Sequence, residues 1–227
     1  GTLTLANIDD GTLDSEEAIP DLDGATLTSG SRDATGTLLT AGTSDGRAAL
    51  IHLRFQPMYE DAQLTDVKSI VRLEPLVEID PVRRPVRLVE GREREDVSVL
   101  AAVVGNREIV VLRRRSGDTG YERQILEVGP SETITHLSLG RVEHLAAATD
   151  SGGLYLWELD SQIRLVDNRS LAPSKVTALA WANADISLLV GDEGGGIAAY
   201  FRVLVKDDDP EPTLVRAHVY ETQSAAV

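Results

Sequence analysis

The sequence predicts an all-β chain, and three observations carry that prediction. Apolar residues rarely recur at helical spacing, the turn formers Gly, Asp, Asn and Pro return every eight to twelve residues or so, and four stretches align beneath one another. The stretches are LLTAGTSDGRAALIHLRF (38–55), VLAAVVGNREIVVLRRR (99–115), HLAAATDSGGLYLWELD (144–160) and SLLVGDEGGGIAAYFRV (187–203). Each reads as a short apolar strand, a turn rich in Gly, Asp or Asn, and a second strand.

The starts of these hairpins lie 61, 45 and 43 residues apart, near the 40–50 residues of a propeller blade. The polar stretch Gln56 to Lys68 lengthens the first interval. Further strand pairs fill the spaces: SIVRLEPLVEID then RPVRLVE, YERQILEV then TITHLSL, and QIRLVDN then KVTALAW. They read as the outer strand of one blade followed by the inner strand of the next. The expected architecture is a β-propeller-like array of about four to five blades, with 1–227 as a single domain and a count compatible with an incomplete ring. A strand lying between neighbouring sheets is buried on both faces, which suits the small apolar runs LAAA and LLVG. No single blade buries both of its faces, so stacking supplies the core. At the N-terminus TLTLANI reads as a strand, Asp9 to Asp23 as an acidic loop, and ATLTSGS as the inner strand of the first hairpin.

Charge and composition exclude several classes of function. With 22 Lys+Arg against 37 Asp+Glu, the formal net charge is −15 and the isoelectric point about 4.6; such a field repels polyanions, so nucleic acid is not an expected partner. Cysteine is absent, which rules out disulfides and cysteine-ligated zinc. No window approaches 18 consecutive apolar residues. Gly1 is not an initiator methionine and the sequence ends in mid-pattern at Val227, the last residue of ETQSAAV, so it is expected to be a fragment of a larger protein.

GDEGGG (191–196) lacks the Lys-Ser/Thr and the helix of a phosphate loop, since Ile197, Ala198 and Ala199 follow it; the expectation is a hairpin turn. The acidic clusters NIDDGTLDSEE, DLDG and KDDDPEP invite calcium. Counting back from Gly11 and Gly24, however, places Ala6 and Ile19 where the first oxygen ligand belongs. His52, His136, His144 and His218 fall on separate elements without metal-ligand spacing, and no G-x-S-x-G elbow is present. No catalytic, cofactor-binding or metal residue is predicted, and no cofactor. Arg83 to Arg94 is interleaved with acids, whereas Arg113, Arg114 and Arg115 form an uncompensated basic triplet. That triplet reads either as protection of an edge strand or as a docking patch for an acidic partner.

The segment KVTALAWANADISLLVGDEGGGIAAYFRVLVKDD, followed by PTLVRAHVYETQSAAV, resembles the large soluble insert of long phosphate ABC transporter permeases. AGTSDGRAALIHLRF resembles the G-T-x-D-G blade of the same family. The resemblance implies a noncatalytic interaction or regulatory domain of an inner-membrane importer, lying on the periplasmic side. Its implied partners are the transmembrane part of the same permease, the other transporter subunits and the phosphate-binding protein. A weaker, WD40-like resemblance rests on Trp157-Glu158 in LYLWELD, where a Trp-Asp pair closes the WD-type repeat; the Gly-His pair of that repeat is missing. Two rivals stand beside the permease: a free-standing cytoplasmic WD40-like scaffold, and a propeller hydrolase with carboxylates or histidines converging at the strand ends.

Overall fold

The computed structural model describes residues 2–6, 13–140, 143–160, 162–182, 186–203 and 213–220, and every regular element among them is a β-strand. The chain divides into two compact units, Gly1–Gly91 and Arg92–Val227.

The first unit opens with a hairpin of β1 (Thr2–Ala6) and β2 (Leu13–Ala18), Thr2 lying opposite Ala18. β2 replaces part of the loop expected over Asp9 to Asp23. Its LDSEEA sequence has no apolar alternation, and a two-stranded ribbon needs none where side chains such as Glu16 and Ala18 face solvent. The main sheet runs in the order β3 (Leu27–Arg32), β4 (Leu38–Thr43), β5 (Arg47–Glu60) and β6 (Gln63–Leu73), with β7 (Val77–Glu78) also paired to β5. Ala41, Ala49, Ile51 and Leu53 bury one face of this sheet under Ile19 and Leu22. β8 (Val86–Arg94) starts in this unit. Its Val86 occupies the space over Gly42, where an added Cβ would lie 2.5 Å from Val86 Cγ1, so glycine in β4 is a requirement of close packing.

The second unit carries three four-stranded antiparallel sheets. In the first, β9 (Val97–Val104) and β10 (Glu108–Arg115) lie between β8 and β11 (Glu122–Glu127). The second is ordered β12 (Ile134–Gly140), β13 (His144–Thr149), β14 (Gly153–Leu159) and β15 (Ile163–Ser170). The third is ordered β16 (Val176–Ala182), β17 (Ser187–Asp192), β18 (Ile197–Val203) and β19 (Thr213–Tyr220). The four stretches aligned in the sequence fall on β4–β5, β9–β10, β13–β14 and β17–β18, the middle pair of each sheet. Residues 99–104, 109–112 and 145–148 are buried whichever way they point. That double burial explains why these strands read as continuous apolar runs. Between the second and third sheets, Ala146, Ala148, Leu154 and Leu156 meet Leu188, Val190, Tyr200 and Leu214.

One turn device recurs in three of the four hairpins. Thr43 Oγ1 accepts the Arg47 amide at 2.9 Å, Thr149 Oγ1 the Gly153 amide at 2.9 Å, and Asp192 Oδ1 the Gly196 amide at 2.9 Å. In each case the residue before the second partner is a glycine with positive φ: Gly46 (78°), Gly152 (80°) and Gly195 (78°). Only glycine adopts that conformation without strain. The turn carbonyls are used as well. Gly46 O accepts from Ile79 N and Asp80 N, and Gly152 O from Leu171 N, so the chain leaving the sheet is tied back over its own hairpin. In GDEGGG the Asp192 carboxylate takes the amides of Gly194 and Gly196, and the Asp192 carbonyl takes that of Gly195. The three glycine amides of the loop are thus taken by its own aspartate and the Glu193 amide by the Lys175 carbonyl, and the segment is the hairpin turn that the missing lysine and helix predicted.

Candidate functional site

Beyond the sheet of the first unit, β5 and β6 continue as a two-stranded ribbon. The last pairing of β5 to β4 is His52 opposite Leu38, whereas pairing to β6 persists to Glu60 opposite Gln63. Asp61 (φ 49°) and Ala62 (φ 64°) close the ribbon, the two positive values expected of a type I′ turn, whose twist matches that of the strands. Pro57 is tolerated because β5 has a free edge there. Cross-strand pairs share a face, and Phe55, Pro57 and Tyr59 therefore lie on the same side as their opposite numbers Leu64 and Val67. Phe55 is 51% exposed, Tyr59 64% and Leu64 57%. The other side carries Arg54, Gln56 and Glu60 beside Met58 and Ile70.

This amphipathic ribbon corrects the expectation of a merely polar stretch over Gln56 to Lys68. Its signal was broken in sequence by a bulge: the register shifts between Met58 and Tyr59, so Leu64 and Val67 share a face although they are three apart. The apolar side continues the row Ala49, Ile51 and Leu53, which is buried within the sheet. A surface that starts as core and ends in solvent has the character of a contact site.

In the second unit, strand ends form a cleft of about 400 Å³ lined by Arg113, Arg115, Glu143, His144, Glu158 and Asp160, among others. The predicted basic triplet is placed by strand alternation: Arg113 and Arg115 face this cleft, while Arg114 turns away, its guanidinium 4.8 Å from the Tyr121 ring centre. Over Glu108–Arg113 β10 pairs with β9 on one side and β11 on the other, so Arg113 does not lie on an edge; Arg114 and Arg115 run past the last β11 pair and pair with β9 alone. Arg113 is committed to the fold, donating to the Asp160 carbonyl at 2.5 Å and to the Leu159 carbonyl. The Arg115 amide donates to Asp118 Oδ2 at 3.2 Å, and the Arg115 guanidinium has no partner among the described residues.

The remaining charges of the cleft hold one another. Glu158 pairs with Arg164 at 2.6 Å and Arg202 at 3.2 Å, and the Arg164 hydrogen bond, aided by Arg202, holds its carboxyl below the ordinary glutamate range. Arg202 also donates to His144 Nε2 at 2.6 Å; an arginine can only donate, so that nitrogen is the acceptor of a neutral imidazole. Arg94 meets Glu143 at 3.1 Å. The other three histidines have partners of their own. His52 meets Glu74 at 3.1 Å, His136 meets Thr135 Oγ1 at 3.0 Å, and His218 packs edge-on to Tyr220 at 4.5 Å. The acidic cluster KDDDPEP and most of NIDDGTLDSEE lie outside the described residues.

Antiparallel sheets that repeat one four-strand order, with one turn device shared by three of the four central hairpins, define an all-β, WD40-like propeller architecture. Comparison with solved structures gives the same class. The chain is similar to the β-propeller domain of Myceliophteria thermophila Cps50 (Swd1), at a TM-score of 0.60 and 15% identity over 97% of this chain and 65% of that one. It is also similar to BBS1N, solved in complex with ARL6DN, at a TM-score of 0.56 and 11% identity over 85% of this chain and 55% of that one. The chain thus spans about two thirds and about half the length of these neighbours, and at such identities the likeness concerns the fold alone. No protein-family model and no curated protein matches the chain, so the resemblance to phosphate permease inserts rests on the residues quoted for it.

Proposed function

We propose that the chain is a noncatalytic protein-interaction scaffold, and that the apolar side of the β5–β6 ribbon is its contact surface. One observation carries this reading: Phe55, Tyr59, Leu64 and Val67 stand exposed on one face of a ribbon whose backbone is paired along its length. Aromatic side chains presented by a pre-ordered strand pair are favoured anchors, since little conformational entropy is lost on docking. The cleft charges, by contrast, are spent largely on one another. Arg115 is a secondary contact for an acidic group on a partner.

The biological setting follows one of two lines. The quoted resemblance of Lys175 to Val227 supports a periplasmic domain of a phosphate importer permease, which docks on its own transmembrane part, the other subunits or the phosphate-binding protein. The fold fits a free-standing cytoplasmic WD40-like scaffold equally well. Both lines use the same surface and are separated by the partner recovered. The double substitution Phe55→Ser/Tyr59→Ser is expected to weaken partner binding at least tenfold, measured by calorimetry or surface plasmon resonance, because it removes two aromatic anchors. The melting temperature is expected to stay within about 2 °C of the parent, since both side chains are already in solvent. Unchanged affinity would remove the ribbon from the contact.

A further inference from the structure

In the second unit, the chain that leaves β15 and crosses to β16 borders a groove of about 280 Å³ beside β18 and β19. Small residues keep it open: Ser170, Ala172 and Ser174 come from the crossing chain and Ala198 from β18. Its floor is core, since Val176, Val190 and Tyr200 are each at most 6% exposed. A link between the sheets closes one end. Asp167 on β15 accepts the Leu214 amide of β19 at 2.9 Å and holds Arg169, whose guanidinium lies 5.9 Å from the Tyr200 ring centre. The turn after Asp192 stands at the other end. Three polar groups of the groove are unspent. The Tyr200 hydroxyl and the Arg216 guanidinium, on residues opposite one another in β18 and β19, have no hydrogen-bond or ionic partner among the described residues. Asp192 takes the Gly194 and Gly196 amides with Oδ1 alone, which leaves Oδ2 open. A tyrosine as buried as Tyr200 ordinarily has its hydroxyl paired, so its missing partner points to a ligand.

We propose that this groove binds a short peptide with free ends: its carboxylate meets Arg216 and the Tyr200 hydroxyl, its ammonium meets Asp192 Oδ2, and an apolar side chain lies over Val176 and Val190. Charge selects that occupant. A plain anion such as phosphate meets the Asp192 carboxylate and the field of a chain with net charge −15, whereas a zwitterion carries no net charge and satisfies both ends. Length selects it too. Asp192 bonds to Gly196, and Tyr200 lies four residues further along β18, about 13 Å at the rise of a strand. Three extended residues span about 10 Å, and the side chains of Asp192 and Arg216 take up the remainder; a single amino acid is too short. The groove lies in the second unit, and its occupancy does not depend on the ribbon of the first.

Titration with the tripeptide Ala-Leu-Ala, followed by calorimetry and by backbone amide NMR shifts, tests the proposal. The expected result is a set of shifts confined to the groove, with a Kd of roughly 0.1–1 mM. Amidating the carboxyl end of the peptide, or acetylating its amino end, is expected to weaken binding about fivefold in each case. Arg216→Gln, at an exposed position on β19, is expected to keep the parent's circular dichroism spectrum and to bind the free and amidated peptides equally, while still preferring a free amino end. Asp192→Asn keeps an acceptor for the glycine amides and is expected to show the opposite pattern. Four results would each overturn the proposal: no shifts up to about 10 mM Ala-Leu-Ala; free and capped peptides bound alike by the parent; an Arg216→Gln form that retains the full preference for a free carboxylate; or inorganic phosphate that produces the same shifts at the same concentration.

Discussion

Replacing Glu132 by alanine is expected to lower the unfolding free energy by about 2–3 kcal/mol, the cost of stripping partners from several polar groups at once. The Glu132 carboxylate accepts from the Gly129 amide at 2.9 Å, Ser151 Oγ at 2.7 Å, Thr149 Oγ1 at 3.1 Å and the Tyr155 hydroxyl. Thr149 in turn holds the Gly153 amide that starts β14. One carboxylate therefore joins the chain entering β12 to the hairpin of the same sheet. Glu132→Gln keeps the shape and loses the charge, and is expected to cost about half as much. Chemical denaturation of the three proteins at pH 7 measures both values.

A pH dependence follows, and its sign is determined. Burial pushes the Glu132 carboxyl up, but hydrogen bonds from Tyr155, Ser151, Thr149 and Gly129 outweigh it and leave the group below its ordinary value. The folded state thus binds the proton less readily than the unfolded state. Its stabilisation is complete above the unfolded pKa, near 4, and is lost as pH falls through the lower folded value. The parent is expected to lose stability more steeply as pH falls below about 4 than Glu132→Gln, whose side chain does not titrate.

The second large effect is expected at Asp80, which is 2% exposed. Its Oδ2 accepts from the Arg84 amide and from Arg84 Nε, each at 2.9 Å, and its Oδ1 from Arg84 NH2 at 3.3 Å. The backbone on either side is closely held, since an added Cβ on Gly46 would lie 3.0 Å from the Asp80 carbonyl oxygen and from the Arg84 carbonyl oxygen. Asp80→Ala leaves the Arg84 amide without this acceptor and removes the guanidinium's ion pair with a buried carboxylate. A loss of about 2–4 kcal/mol is expected, or roughly 5–15 °C in melting temperature for a chain of this size. Asp80→Asn retains one acceptor and is expected to lose less. The Arg84 hydrogen bond holds the Asp80 carboxyl below its ordinary value, so acid weakens this site in the same direction as Glu132.

Much of the fold was legible in the sequence for a definite reason. Strands such as VLAAVV and LAAA are buried on both faces, and double burial writes itself as an unbroken run of small apolar residues. Their turns were equally plain, because Gly46, Gly152 and Gly195 occupy positions of positive φ. The elements that escaped lack such a local signature. β2 pairs through its backbone and leaves polar residues in solvent, so its sequence resembles a loop. The ribbon's apolar side was split by the bulge beside Tyr59, which breaks the period of two. The role of Arg113 depends on carbonyls 46 and 47 residues further along the chain; only the folded arrangement brings them together.

The most direct test of the scaffold function is site-specific photo-crosslinking in the native cell, with a photoreactive phenylalanine at Tyr59 and, as control, at the exposed Gln124 of β11. The expected result is one recurrent protein adduct at Tyr59 that is absent at Gln124, competed by excess parent chain and not by the Phe55→Ser/Tyr59→Ser form. Adducts of equal yield at both positions, or competition by the double variant as strong as by the parent, would contradict the assignment of the ribbon as a contact surface.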